Sequence, residues 1–351
     1  MRLGYPLDYA GDPRAAADGV AALERAGLDV VWVAEAYGFD APTLMGYLAA
    51  RTDRVQIAAG ILNVYSRTPA AILQTAAGLD NVSQGRAILG LGASGPQVIE
   101  GFHGVPYTQP LRRIRETIDV VRAGLRRERL SYTGRTVTLP LPPGTGTGLG
   151  KPLKLLTRPV RDRVPIYVAA LGEKSVQTTA EIADGWLPFL FAPERANAVW
   201  GNALRAGAAL RDPSLGALDI AAGGLLYLGD DPVAQQRALD AARPNAALYV
   251  GGMGAKNANF YHELVSRYGF AEQADHIQQL YLGGRHRDAA AAVPEELLRM
   301  TNLVGDRAQL AERVAAYRNA GVTILNVAPA PGTDPVDQLR QMRELVDGSP
   351  G

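Results

Sequence analysis

Short, β-branched apolar runs alternate with Ala-rich stretches whose apolar positions recur at helical spacing along nearly the whole chain. That alternation predicts parallel βαβ units. Strands are expected at 2–6, 29–34, 55–61, 86–91, 164–170, 185–189, 218–228 and 322–328. Helices are expected at 14–26, 40–51, 69–83, 109–127, 173–183, 193–210, 231–242 and 306–320, with Gly27 and Gly321 as C-terminal stops. Eight units predict an α/β chain folded as a TIM (β/α)8 barrel, in preference to an open doubly wound sheet. One barrel with insertions accounts for residues 1–347. Two segments break the alternation and place insertions after strands 4 and 7. Residues 130–163 are rich in Pro and Gly (LPLPPGTGTGLGKPLK) and read as a lid or an edge flap. Residues 245–304 hold the glycine cluster YVGGMGAKN and further helical patterns, expected at the catalytic face or a subunit interface.

Charge and composition remove whole classes of function. Lys plus Arg (36) nearly cancel Asp plus Glu (35), and no basic run carries interleaved aromatics, so nothing supports a nucleic-acid surface. With no cysteine, disulfides, thiolate metal sites and a cysteine nucleophile are excluded. No stretch of about 18 apolar residues is present, so a cytoplasmic protein without a membrane partner is expected. Assembly as a homodimer or higher homo-oligomer is also expected. None of the four histidines (His103, His262, His276, His286) falls at a strand end or in paired spacing, so no metal is expected. Ser94 lies in GASGP, outside a GxSxG elbow.

In a barrel, chemistry is carried just past the carboxyl ends of the strands. Those positions hold Leu7, Asp8 and Tyr9; Glu35, Ala36, Tyr37 and Asp40; Gly60, Ile61, Asn63 and Tyr65; Gly92, Ala93, Ser94, Gly95 and Gln97; and Ala170, Leu171, Gly172, Glu173, Lys174 and Ser175. In RAILGLGASGPQ a buried strand ends in glycines, which lets a planar or anionic group approach bare backbone. Gly90, Gly92 and Gly95 spell GxGxxG, but no first βαβ unit surrounds them and no acidic ribose partner follows about 20 residues on, so a Rossmann turn is rejected. A plain strand-to-loop turn is the simpler alternative. In LGEKS, Gly172 ends a strand and Lys174 and Ser175 open a helix, which suits a phosphate; alternatively Glu173 and Ser175 merely cap that helix.

Taken together, AALERAGLDVVWVAEAYGFDA, RTDRVQIAAGILNVYSRTPA, LDNVSQGRAILGLGASGPQVIEGFHGVPY, GLGKPLK, IADGWLP, ALYVGGMG and GDRAQLAERVAAYRNAGVTILNV resemble the luciferase-like flavin- and deazaflavin-dependent superfamily, and within it the actinobacterial coenzyme F420-dependent oxidoreductases. The resemblance implies a deazaflavin ring over the carboxyl ends of the strands. It also implies a bulge in strand three under the ring, often with a non-prolyl cis peptide, which falls at Gly60–Ile61. The turn at Gly92, Ala93, Ser94 and Gly95, with Asn63 and Gln97, would meet the ring and ribityl chain. Ala170, Leu171, Gly172, Glu173 and Lys174 would meet the phosphate, and Tyr9, Tyr37 and Asp40 the substrate. Lys151, Lys154, Arg158 and Lys174 are candidates for a groove along the oligoglutamyl tail of F420; the first three could instead simply solvate a lid.

Where related sugar-phosphate dehydrogenases and pterin reductases carry Asp-His after strand two, this chain has Glu35 and Ala36. Glu35 is then the nearest candidate to exchange a proton, unless it pairs with an arginine at the barrel rim; Tyr9, Tyr37 or water would serve in its place. The expected reaction is hydride transfer between coenzyme F420 and a small organic substrate, such as an unsaturated acceptor. The alternatives are an FMN-dependent luciferase-like monooxygenase and a non-catalytic cofactor-binding barrel.

Overall fold

The computed structural model describes the chain apart from residues 8, 10, 255, 257, 258 and 349–351, so the strand-end Asp8 lies outside the described residues. Eight strands, β1 (Arg2–Leu7), β2 (Val30–Val33), β3 (Gln56–Ala59), β4 (Ala87–Gly92), β5 (Ile166–Ala169), β6 (Gly185–Leu187), β7 (Asp219–Leu228) and β8 (Ile324–Pro329), pair in parallel in sequence order. The ring closes where Arg2 to Gly4 of β1 lie opposite Ile324 to Asn326 of β8. The eight-unit pattern is therefore a closed TIM barrel.

The barrel helices are α1 (Pro13–Arg25), α2 (Ala41–Arg51), α3 (Pro69–Val82), α4 (Pro110–Leu125), α5 (Glu173–Ile182), α6 (Pro193–Ala208), α7 (Pro232–Ala247) and α8 (Arg307–Asn319). Several begin with an oxygen-bearing cap followed by proline. Asp12, Thr68 and Asp231 accept first-turn N–H groups just before Pro13, Pro69 and Pro232, whose missing N–H would have gone unused anyway. A further helix, Pro335–Gly348, follows the last barrel strand.

Val30, Trp32, Ala58, Ile88, Tyr167, Ala221 and Ile324 fill the barrel interior, where the Trp32 indole donates to Asn326 at 2.9 Å. Layers of this kind make the barrel a packed core, leaving its strand ends for chemistry.

The first insertion is an edge flap. Its hairpin, Tyr132–Thr133 with Thr138–Leu139, is fastened to α4 by the buried Glu116, whose carboxylate accepts the N–H groups of Arg135 (2.9 Å), Thr136 (2.8 Å) and Val137 (2.9 Å). The segment then returns to the N-terminal face of the barrel. The Leu130 N–H donates to Leu153 O at 2.8 Å, and the Arg161 guanidinium donates to Asp80 and to Ala87 O at the start of β4. The second insertion folds back over the carboxyl end of β6: the rings of Phe189 and Tyr249 are 4.1 Å apart, and the Tyr268 hydroxyl donates to Leu190 O at 2.9 Å. Its last element, the strand Leu303–Gly305, extends the sheet beside β7.

Candidate active site at the carboxyl ends of the strands

The strand-three run expected at 55–61 breaks at its end. β3 stops at Ala59, the Gly60–Ile61 peptide is cis, and the chain shifts sideways so that Leu62 and Asn63 pair with Leu91 and Gly92 of β4. The glycines of β4 exist for this bulge. A methyl group on Gly90 would lie 1.8 Å from the carbonyl oxygen of Ala59, and one on Gly92 would lie 2.8 Å from the Ile61 side chain. Bare backbone at 90 and 92 thus admits a neighbouring strand, a correction to the reading in which those glycines serve a ligand directly.

Asn63, buried just beyond the bulge, accepts the N–H groups of Tyr65 (3.1 Å) and Ser66 (2.7 Å) on its side-chain oxygen. Its amide orientation is fixed by those two bonds, so the NH2 group must be what faces His103 Nε2 at 3.4 Å. The histidine accepts there, which leaves the ring proton on Nδ1. A lone histidine in GFHGVPY gave no signal in the sequence; the loop after β4 carries it to the site. The same loop is tied down by Tyr107, whose hydroxyl donates to Ser94 O at 3.2 Å and whose ring stacks on Tyr65 at 5.2 Å. Burial pushes the Tyr107 phenol up to about 12, so it stays protonated as a donor.

Three non-glycine residues adopt left-handed backbone just past the strands: Ala36 (φ +40°) after β2, Ser94 (φ +58°) after β4 and Leu190 (φ +51°) after β6. Each costs roughly 1–3 kcal/mol, and such residues cluster where function holds them. Ala93 is half-buried between Gly92 and Ser94, Gly95 opens the short helix Pro96–Gly101, and Gln97 lies exposed on it.

At the end of β5 the carbonyls of Ala170 and Leu171 accept from the indoles of Trp186 and Trp200, both at 2.8 Å. Gly172 is the N-cap of α5, and no side chain caps that end. The alternative in which Glu173 and Ser175 cap the helix does not hold: both first-turn side chains leave the N–H groups alone, and the Ser175 hydroxyl donates to Gly172 O at 2.7 Å. An uncapped N-terminus with an exposed lysine, Lys174, fits an anion.

Two of the expected side chains are engaged by the protein itself. Glu35 is buried and locked in a two-bond ion pair with Arg67, at 2.7 and 2.5 Å, and also accepts the Ala41 N–H at 3.2 Å. That is the paired alternative, an acceptor fixed at the rim. Asp40 is the N-cap of α2, accepting from Thr43 N–H at 3.1 Å and from its hydroxyl at 2.9 Å. The basic groove is not assembled. Lys154 adjoins Leu153, which bonds Leu130 beyond the end of α4, and Arg158 lies three residues from Arg161 at the start of β4; both sit toward the N-terminal face, with Lys151 in the same returning segment, while Lys174 stands at the opposite end of the barrel.

Tyr9 and Tyr37 lie exposed at the mouth, 60% and 66% accessible. Tyr37 faces Phe102 across 6.5 Å. Among the described residues no cluster of His, Cys, Asp or Glu could hold a metal, and no helix is long and apolar enough to cross a membrane.

The sequence profile of luciferase-like monooxygenases matches residues 1–323. A Mycobacterium tuberculosis protein provisionally named as a coenzyme F420-dependent oxidoreductase is 38% identical over 351 residues, covering 99% of each chain. Among solved structures, the coenzyme F420-dependent tetrahydromethanopterin reductase of Methanopyrus kandleri superposes with a TM-score of 0.80 at 23% identity, covering 99% of each chain. An F420-dependent secondary alcohol dehydrogenase bound to an F420-acetone adduct superposes with a TM-score of 0.73 at 20% identity, covering 100% of this chain and 99% of the other. At those identities the superpositions speak for the barrel alone. The profile and the full-length relative go further: this chain belongs to the luciferase-like monooxygenase family.

Proposed function

We propose that the protein is a coenzyme F420-dependent oxidoreductase that moves a hydride between the deazaflavin and a small organic substrate, such as an unsaturated acceptor. The observation that carries this reading is the pairing, on one face, of a strand-three bulge with an uncapped helix N-terminus at Gly172. The family resemblance puts the ring over such a bulge, and free N–H groups at a helix N-terminus suit a phosphate. The full-length relative named for F420 adds to it.

Residues Gly60, Ile61 and Asn63 would support the ring, Ala93, Ser94, Gly95 and Gln97 would border it, and Gly172, Glu173 and Lys174 would receive the phosphate through backbone N–H groups and one ammonium. When bound, the cofactor supplies the two-electron chemistry. The protein's own contribution is orientation, exclusion of water and a hydrogen bond. That bond falls to His103, whose Nδ1–H, directed by the bond from Asn63 to Nε2, would be donated to the substrate while water supplies the proton. Glu35 and Arg67 neutralise each other and shape the rim.

The runner-up within the family is an FMN-dependent monooxygenase, which the family description itself includes. Titration of the purified protein with F420 and with FMN, followed by addition of an unsaturated ketone to the complexes of the chemically reduced cofactors under nitrogen and in air, separates the readings. Tight F420 binding with loss of reduced-cofactor absorbance and turnover without oxygen supports the deazaflavin enzyme. Preferential FMN binding with oxygen-dependent turnover supports the monooxygenase, and binding without any redox change supports a non-catalytic barrel.

A further inference from the structure

The rim of the barrel carries aromatic rings from four separate loops. Tyr37 follows β2 and Phe102 follows β4, both more than 60% accessible and 6.5 Å apart. On the other side, Phe189 follows β6 and packs on Tyr249 of the second insertion at 4.1 Å, with Tyr261 edge-on to Tyr249 at 4.8 Å. The two sides share the carboxyl face of the barrel, where β2, β4 and β6 end. The exposed pair Tyr37 and Phe102, facing the half-buried cluster of Phe189, Tyr249 and Tyr261, marks a surface that receives an apolar partner.

Beside Tyr37 the charged side chains of the loop after β2 are engaged. Glu35 and Arg67 satisfy each other, and Asp40 caps α2. The segments that carry Phe189 and Tyr249, Pro188 to Ala192 and Leu248 to Met253, contain no Asp, Glu, His, Lys or Arg. A charged group laid against these rings would leave its hydration shell for a surface that offers it no counter-charge, at a cost above what ring contacts return. One polar group is left over. Among the described residues nothing hydrogen-bonds the hydroxyl of Tyr249, a phenol kept protonated by its burial. That hydroxyl is available to donate to an acceptor that enters the mouth.

We propose that the substrate is an uncharged, ring-bearing ketone or enone, its flat apolar body lodged against Tyr37 and Phe102 and its carbonyl oxygen accepting a hydrogen bond from Tyr249. This rests on the proposed function for the identity of the site, and it adds the class of molecule that the site takes.

Equilibrium dialysis, with and without F420, tests it directly. The probes are testosterone, an uncharged tetracyclic enone; 1-tetralone, a two-ring ketone; and glucose 6-phosphate, a charged compound. Saturable one-to-one binding of at least one ring compound, with no binding of glucose 6-phosphate, is expected. The double variant Tyr37→Ala with Phe102→Ala should weaken the ring compound at least 10-fold, and Tyr249→Phe about 5-fold, each with F420 affinity within 2-fold of the parent. Failure of both ring compounds, tighter binding of glucose 6-phosphate, or unchanged affinity in both variants overturns the inference. F420 fluorescence in the same samples keeps the two claims apart. If F420 binds and the ring compounds do not, this inference alone falls; if the parent does not bind F420, the proposed function falls with it.

Discussion

The two ends of the barrel are built on opposite plans. At the N-terminal end nearly every charge has been given structural work. Arg86 donates five hydrogen bonds to Ser83 O, Thr52 Oγ1, Val55 O, Ala49 O and Thr52 O, stitching the ends of α2 and α3 to the start of β3. Glu24 accepts the N–H groups of Asp53, Arg54 and Val55, and Arg2, Tyr167 and Asp219 form a closed network at the bottom of the interior. At the carboxyl end the chain instead keeps a shifted strand, left-handed alanine, serine and leucine residues, an uncapped helix and exposed rings. The difference shows where this fold concentrates stability and where it gives stability up for binding.

Breaking the N-terminal plan should produce the largest change. Arg86→Ala removes five bonds and leaves four carbonyl oxygens and the Thr52 hydroxyl without that donor, an expected loss of about 4 kcal/mol in urea unfolding. Cofactor affinity of the folded fraction should stay within 2-fold; a stable variant would mean that this end is not the structural one.

Glu35→Gln probes the one ion pair that belongs to the carboxyl end. Taking the buried carboxylate from the half-buried Arg67 should cost about 3 kcal/mol, seen as a lower melting temperature. The pH profile of single-turnover hydride transfer should keep its shape. A flattened acid limb with unchanged melting would restore Glu35 to proton exchange.

A change inside the binding plan should do the reverse. Valine at position 60 would put its Cβ 3.2 Å from Cβ of Trp32, with two further methyl groups to place beside the bulge. Gly60→Val is expected to weaken F420 at least 10-fold, about 1.4 kcal/mol, with little change in unfolding. Equal F420 affinity in parent and variant would remove the bulge from the cofactor site.

The smallest effect sharpens the comparison through pH. Burial alone would raise the Glu24 carboxyl, but N–H groups of Val55, Arg54 and Asp53 outweigh it and hold the group below its ordinary value; Glu116 behaves likewise, through Thr136 and the N–H groups of the hairpin. With both folded values depressed, their stabilisation is complete above about pH 4.3 and is lost as the pH falls toward the folded values. The stability gap between the parent and Glu24→Gln should therefore be constant from pH 6 to 8 and narrow below about pH 4. A gap that stays level in acid would show that the carboxylate charge is not what those amides hold.

The barrel was legible because β-branched runs and Asp-Pro or Thr-Pro helix starts are local signals; strands and helices fall within a few residues of their expected bounds, apart from α7, which runs on to Ala247. What periodicity could not carry was contact between distant segments. QIAAGIL reads as one strand, and only the neighbouring Gly90 and Gly92 show why it turns aside at Gly60. Glu35 meets Arg67, and Asn63 meets His103, across 32 and 40 residues of chain. Tyr249 reaches the mouth only because an insertion after β7 packs on the end of β6. The likeness in sequence pointed to the bulge, while the sharing of work among the side chains around it came from topology.

The most direct test titrates F420 and FMN against the parent, Gly60→Val and Arg86→Ala, with affinities referred to the folded fraction. The account predicts that the parent prefers F420, that Gly60→Val loses that affinity while keeping its unfolding curve, and that Arg86→Ala keeps the affinity while losing stability. A parent that prefers FMN, or an Arg86→Ala variant that loses F420 while Gly60→Val retains it, would contradict the division of the barrel into a binding end and a structural end.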